Sequence, residues 1–243
     1  MNAKAAAVFS RLTLPDHTIR IKLLGDSITH GVGGTGFDQN GEPITAGFAR
    51  NPDGYCWAAL FRDDLEARYD CKVVNNGCTG TTIEFVLDRF DELVDPEDDI
   101  ILCTIGTNNR NQDFDCGPKA SKREDMERFY GNILKLNDRL LASGKAYVLV
   151  ANIPAGRAKE VDGETFWRIF HMNDVHDMYV KAAAECGFPF ISMYEAFTDY
   201  CESTGTPLDS LLADALHPND EGYRVYFSLL MRELGLARPL WEG

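Results

Sequence analysis

The chain has 243 residues, with 38 acids against 24 bases and a net charge of −14. An acid excess of that size argues against a general nucleic-acid or anionic-membrane surface, because phosphate binding needs clustered Lys and Arg. Ten prolines and 21 glycines, well scattered, exclude collagen-like and low-complexity chains, and 44% hydrophobic residues are enough to build a core.

The first residues carry one Lys and a very short apolar stretch that Ser10-Arg11 ends. That is too short for a secretory signal, so the segment reads as a loose lead-in. Residues 19–24 (Ile-Arg-Ile-Lys-Leu-Leu) read as a first strand stopped by Gly25. Trp57, Leu60, Phe61, Leu65 and Tyr69 fall at helical spacing and predict an amphipathic helix over 55–69. Residues 72–75 form a short second strand. Ile83, Val86, Leu87, Phe90 and Val94 mark one further helix, with Pro96 beyond it. A near-continuously apolar third strand covers 99–105. A helix over 122–143 follows, capped by Gly144. The fourth strand is 146–153, stopped by Pro154. A helix fits 171–186 with Gly187 after it, a fifth strand 188–193, and Tyr223, Tyr226, Phe227 and Leu230 define a last helix.

This alternation predicts an α/β fold, a parallel sheet with helices on both faces. No repeat, linker or composition break divides it, so one domain over 1–243, with its core at 19–234, is expected. No apolar run reaches the roughly 18 residues that cross a bilayer. The seven cysteines (56, 71, 78, 103, 116, 186, 201) are odd in number and contain no Cys-x-x-Cys pair. That argues against a structural zinc site and fits free thiols in a reducing cytoplasm.

In such sheets ligands sit beyond the carboxyl ends of the strands. Four segments at that edge carry unusual residues: Gly25-Asp26-Ser27, the run 75–82, Gly106-Thr107-Asn108-Asn109, and Asp214-Ala215-Leu216-His217-Pro218-Asn219. Each has a plain explanation alone, since Asp and Ser cap helices and Gly, Thr and Asn make turns. Together they supply an acyl-transfer site. Ser27 is a hydroxyl nucleophile, His217 its general base, and Asp214 the group that orients the imidazole. The Ser27 N–H, the Gly80 N–H and the Asn108 side-chain amide suit a developing oxyanion.

These four blocks resemble those of the SGNH hydrolases, the GDSL-type esterase/lipase superfamily. Gly25-Asp26-Ser27 is similar to the Gly-Asp-Ser block, Asn75-x-Gly77-x-x-Gly80 to the glycine block, Gly106-Thr107-Asn108-Asn109 to the Gly-x-Asn-Asp block, and Asp214-x-x-His217 to the Asp-x-x-His block. They occur in family order over nearly the whole chain. The resemblance implies a three-layer α/β/α sandwich with a five-stranded parallel sheet in flavodoxin-like order. It implies ester hydrolysis through an acyl-Ser27 intermediate, with no metal or other cofactor. Asp26 and Asn109 would support the site, although Asn109 stands where the family usually has Asp, and Ile28 where it usually has Leu. Small acyl groups, acetyl above all, on a soluble alcohol such as a sugar are the expected substrates. A lysophospholipase or thioesterase of the same superfamily is the alternative, and a binding module with a silent site the reading from another class. The expected partner is a small ester, not nucleic acid or a membrane; the oligomeric state is left open.

Other motifs compete less well. Gly31-Val32-Gly33-Gly34-Thr35-Gly36 matches a dinucleotide fingerprint, but its first Gly should end the strand and its last should open a helix, and neither holds. There is no Gly-x-Ser-x-Gly elbow. His171 and His176 lie five apart, so with Asp174 and Asp177 they read as a solvated helix surface rather than a metal site. His30 either lines the site or sits on an exposed turn. Cys78 and Cys103 lack a paired base and read as inert. Phe166, Trp167 and Phe170 either wall a pocket or pack in the core. The long segments 33–54 and 110–120 are expected to shape the pocket.

Overall fold

Five strands, β1 (Ile19–Gly25), β2 (Cys71–Gly77), β3 (Ile100–Thr104), β4 (Ala146–Ala151) and β5 (Phe190–Ser192), pair in parallel in the order β2-β1-β3-β4-β5. They belong to a computed structural model that describes residues 1–13, 15–37, 51–52, 54–110, 122–156 and 170–237. The order is the flavodoxin-like one the sequence predicts. β1, β3 and β4 are the inner strands, with Gly25 opposite both Gly77 of β2 and Thr104 of β3.

Side chains leave the sheet on alternate faces. Ile100, Leu102, Val148 and Val150 join a core under α1 (Ala3–Phe9), α3 (Trp57–Arg68), α8 (Met193–Thr204) and α9 (Asp220–Glu233). Ile101, Cys103, Tyr147 and Leu149 join a second core under α4 (Ile83–Asp88), α5 (Phe90–Leu93), α6 (Lys122–Ala142) and α7 (Met172–Cys186). The short α2 (Ser27–His30) stands at the carboxyl edge of β1. β3 and β4 are apolar on both faces because both are covered, which is why they read as continuous runs, whereas β1 places Arg20 and the buried Lys22 on one face and β2 carries Lys72.

Three expectations are corrected. The N-terminal segment is not a loose lead-in. It forms α1 and a 3₁₀ turn, Ser10–Thr13, with Ala5 and Phe9 fully buried. Asn2 caps α1 by accepting from the Ala5 N–H at 3.1 Å and donates its amide to the Phe190 carbonyl of edge strand β5 at 2.6 Å. The single helix expected across 83–94 is two short ones. Arg89, at φ −115 and ψ 20, leaves the helical region between them, and Phe90 and Leu93 then reach the core separately from Ile83 and Val86. Finally, α8 was not foreseen. It follows β5 with no intervening loop, capped by Ser192, whose Oγ accepts the Glu195 N–H at 3.0 Å. The apolar run of β5 passes straight into the helix and hides its start.

Candidate active site

Gly25 ends β1, and Asp26 opens α2 by accepting the Ile28 N–H on Oδ1 at 3.0 Å. Capping thereby places Ser27 in the first turn of a helix directly beyond an inner strand of the sheet. At the other end of the chain, Asp214 folds its own turn. Its Oδ1 accepts the N–H groups of Leu216 at 3.1 Å and His217 at 2.8 Å, and its Oδ2 lies 2.8 Å from His217 Nδ1. His217 Nε2 lies 2.8 Å from Ser27 Oγ.

The donors follow from the partners. An ionised carboxylate only accepts, so Nδ1 carries the imidazole proton and Nε2 is left to accept the Ser27 hydroxyl proton. Burial raises the Asp214 carboxyl, but the His217 ring and the two backbone N–H groups outweigh it and hold the group well below the usual carboxylate range. The arrangement can therefore move a proton from Ser27 to His217 while a fixed negative charge faces the imidazolium that forms.

The other predicted residues lie beyond the carboxyl ends of the two strands flanking β1. Beyond β2, Gly80 has φ +79, a left-handed conformation that glycine adopts without strain. Thr81 closes that turn with its N–H and hydroxyl on the Cys78 carbonyl, at 3.3 and 2.7 Å. Beyond β3, Asn108 stands in a 3₁₀ turn, Thr107–Arg110, and donates one amide hydrogen to the Thr81 carbonyl at 3.1 Å. That bond joins the glycine block to the asparagine block and leaves the second amide hydrogen of Asn108 for another acceptor. Asn109 accepts the Ile83 N–H at 3.1 Å and donates to Glu84 at 2.7 Å, so it ties this turn to the start of α4. An Asp could not make that donation, which gives the departure at Asn109 a physical reason.

The glycine-rich run after α2 is a packing device. A Cβ on Gly33 would meet the Pro218 carbonyl oxygen at 2.5 Å and His217 Cβ at 3.0 Å. Tyr223 and Asp220 of α9 hold the same run through the Val32 carbonyl at 2.7 Å and the Thr35 N–H at 2.7 Å. His30 is partly buried, edge-on to Phe37, with Nδ1 3.3 Å from the Gly77 carbonyl. Burial raises the thiols of both Cys78 and Cys103, the latter to about 12, so neither is an activated nucleophile.

The structure corrects the reading of His176. Its ring is not a solvated helix surface: it is largely buried, stacks on Tyr194, and pairs with Ser192 Oγ at 3.0 Å. Among the described residues no group of His, Cys, Asp and Glu is arranged to hold a metal. Phe170 packs in the core against Phe129. Phe166, Trp167 and most of the segments expected to shape the pocket lie outside the described residues. A cavity of about 600 Å³ lies at the β5 edge, lined by residues such as Lys4, Phe190 and Arg232, and shares no residue with the Ser27 site.

Two residues of the site region, Asn152 and Tyr226, lie outside the four blocks, and Thr107 lies inside one with no role assigned to it. Asn152, Thr107 and Tyr226 are buried and form a polar network behind Ser27 through Asp26. The one available signal was Asn152, a polar residue directly after the apolar run of β4.

A Ser–His–Asp chain at the carboxyl edge of a doubly covered parallel sheet is the arrangement of an acyl-transfer hydrolase. The chain belongs to the GDSL-like Lipase/Acylhydrolase family, whose model matches residues 23–225. It is a carboxylic ester hydrolase. It is 24% identical over 227 residues to an isoamyl acetate-hydrolyzing esterase of Saccharomyces cerevisiae, across 90% of this chain and 87% of that one. An acetylxylan esterase from Geobacillus stearothermophilus matches in structure with a TM-score of 0.65 and 20% identity, over 91% of this chain and 97% of that one. A hydrolase from the metagenome of Lake Arreo matches with a TM-score of 0.66 and 22% identity, over 92% and 98%. At these identities the two structures speak for the fold. No helix among the described residues is long and apolar enough to cross a membrane.

Proposed function

We propose that the chain is a serine esterase that hydrolyses carboxylic esters through an acyl-Ser27 intermediate, acting on short acyl groups, acetyl above all, carried by a soluble alcohol such as a carbohydrate. The observation that carries the reading is the unbroken chain from Ser27 Oγ to His217 Nε2 and from His217 Nδ1 to Asp214, each step 2.8 Å. Ser27 Oγ attacks the ester carbonyl as His217 takes its proton. The carbonyl oxygen becomes an oxyanion held by the Ser27 N–H, the Gly80 N–H and the Asn108 amide. The tetrahedral centre collapses, the C–O bond to the alcohol breaks, and His217 gives its proton to the departing oxygen. Water, deprotonated by His217, then attacks the acyl-Ser27 carbonyl and releases the acid. Asp26 and Asn109 hold the turns that supply the Ser27 N–H and the Asn108 amide.

The acetyl preference draws support from the two relatives named for acetyl esters. A single domain with free thiols in a reducing cytoplasm, working without a cofactor, completes the proposal. Hydrolysis of p-nitrophenyl esters from acetate to palmitate tests it, with Ser27→Ala as control. We expect activity to be highest at acetate and to vanish in Ser27→Ala. Rates that rise toward palmitate would overturn the acyl preference, and activity kept by Ser27→Ala would overturn the mechanism.

A further inference from the structure

Asn152 directly follows β4 and is 1% exposed. Its Nδ2 donates to Asp26 Oδ2 and to Thr107 Oγ1, both at 2.9 Å, and its Oδ1 accepts the Tyr226 hydroxyl at 3.3 Å. One amide thus touches the residue before Ser27, the residue before Asn108, and the helix that follows the His217 turn. Thr107 also favours the ionised Asp26 carboxylate, so the nucleophile turn and the oxyanion turn meet at that group.

We infer that Asn152 is a positioning residue for ester hydrolysis, one that fixes the nucleophile turn against the oxyanion turn without touching substrate. The inference rests on the proposed Ser27 chemistry. Few side chains fit the position, because it must donate to both a carboxylate and a hydroxyl while accepting from a phenol. Only a primary amide offers both at that spacing; an ionised carboxylate has no donor, and a serine has one. The network is buried, so a missing partner leaves an unpaired polar group rather than a solvated one. The turns then have a strong preference for one relative placement. An oxyanion donor displaced from its place loses the charge it serves, since such donors act only over hydrogen-bond distances.

The surroundings define the pH behaviour. Burial pushes the Asp26 carboxyl up, against the Thr107 and Ile28 bonds and the charges of His217 and Arg110. Tyr179, Tyr223, Tyr226 and Cys103 also face it, and burial keeps all four neutral.

The test uses the full chain, p-nitrophenyl acetate and a pH series. Asn152→Ala should lower kcat by about 100-fold with KM little changed, the scale of a misplaced catalytic geometry. Asn152→Asp sets two carboxyls side by side, which must share one proton. That proton restores the bond to Asp26 but not the one to Thr107, so wherever His217 is free to act as base the variant should keep part of its activity while the pair holds its proton, and lose it as pH rises through a range where the wild type does not decline. Tyr226→Phe, which removes one hydroxyl, should give a smaller fall in kcat, again with KM unchanged. A wild-type kcat in Asn152→Ala, or a wild-type pH profile in Asn152→Asp, would overturn the inference. If Asn152→Ala does not fold, the Asn152→Asp profile decides. Failure of the underlying esterase reading shows separately, as a wild type inactive on every ester of the series.

Discussion

Gly156 donates its backbone N–H to the Ala215 carbonyl at 2.7 Å, so the loop leaving β4 holds the turn that carries Asp214 and His217. Ala215 pays for that turn with a left-handed backbone, φ +65, one of two non-glycine residues so placed among the described residues. A left-handed alanine costs about 1–2 kcal/mol. Ala215→Gly relieves that strain, and the greater freedom of the unfolded chain offsets roughly 0.5–1 kcal/mol of it. We expect Ala215→Gly to keep kcat/KM and to melt within a few degrees of the wild type. Ala215→Val, whose branched side chain resists that φ, should displace His217 and lower kcat by about 100-fold. Thermal melts alongside initial rates separate the two effects.

The Asp214 carboxyl is held well below its ordinary range. A lowered acid contributes stability that is present above its unfolded value, about 3.9, and is lost only as pH falls through the lower folded value. It therefore stays ionised through the range in which an imidazole titrates. The acid limb of kcat/KM should accordingly take no contribution from the Asp214 carboxyl and follow a single proton. Asp214→Asn should lower kcat by about 10⁴-fold, because the amide no longer selects the Nδ1–H tautomer. A limb that needs two protons, or an Asp214→Asn enzyme close to wild type, would contradict this.

Asn109 and Glu84 give a third prediction. Replacing Asn109 by the Asp usual in the family sets a second carboxylate against Glu84, whose other oxygen is taken by Asn132 at 2.6 Å. We expect Asn109→Asp to lose about 1 kcal/mol, a fall of roughly 2–4 °C in Tm for a chain of this size, together with some activity. Glu84→Gln in the same background should recover much of the loss. A double-mutant cycle by thermal melting measures the coupling, and additive effects would count against it.

Phe9 supplies a fourth. It is fully buried and meets Phe61 edge-on, with ring centroids 6.0 Å apart. Phe9→Ala should cost about 3–5 kcal/mol in urea unfolding. A loose N-terminal segment would show almost no change.

What the sequence made legible follows the strength of its periodic signals. β3 and β4 are apolar on both faces and stand out, as do α3 with its apolar stripe and α6 and α7 with theirs and Gly144 or Gly187 behind them. The N-terminal α1 escaped because seven residues, four of them alanine, give too little pattern to separate a docked helix from a leader. The Ser27, Gly80, Asn108 and His217 positions were visible because turn chemistry and reactive residues coincide there. The network of Asn152, Thr107 and Tyr226 is not legible in the same way, since their meeting depends on three strands and a helix brought together only by the fold. His176 misled because spacing along one helix says nothing of the β5–α8 junction that covers it.

Ser27 and His217 are 190 residues apart in the chain. The hydroxyl waits at the end of the first strand for a base that enters just before the last helix, so no N-terminal fragment short of that turn holds both. During synthesis the enzyme stays silent until nearly all of its sheet and both helical layers have been made. Contacts this distant are assembled late and slowly. Recovered ester hydrolysis during refolding is therefore a readout of the whole domain closing, and a chain that stalls part-way carries a serine with no base to activate it.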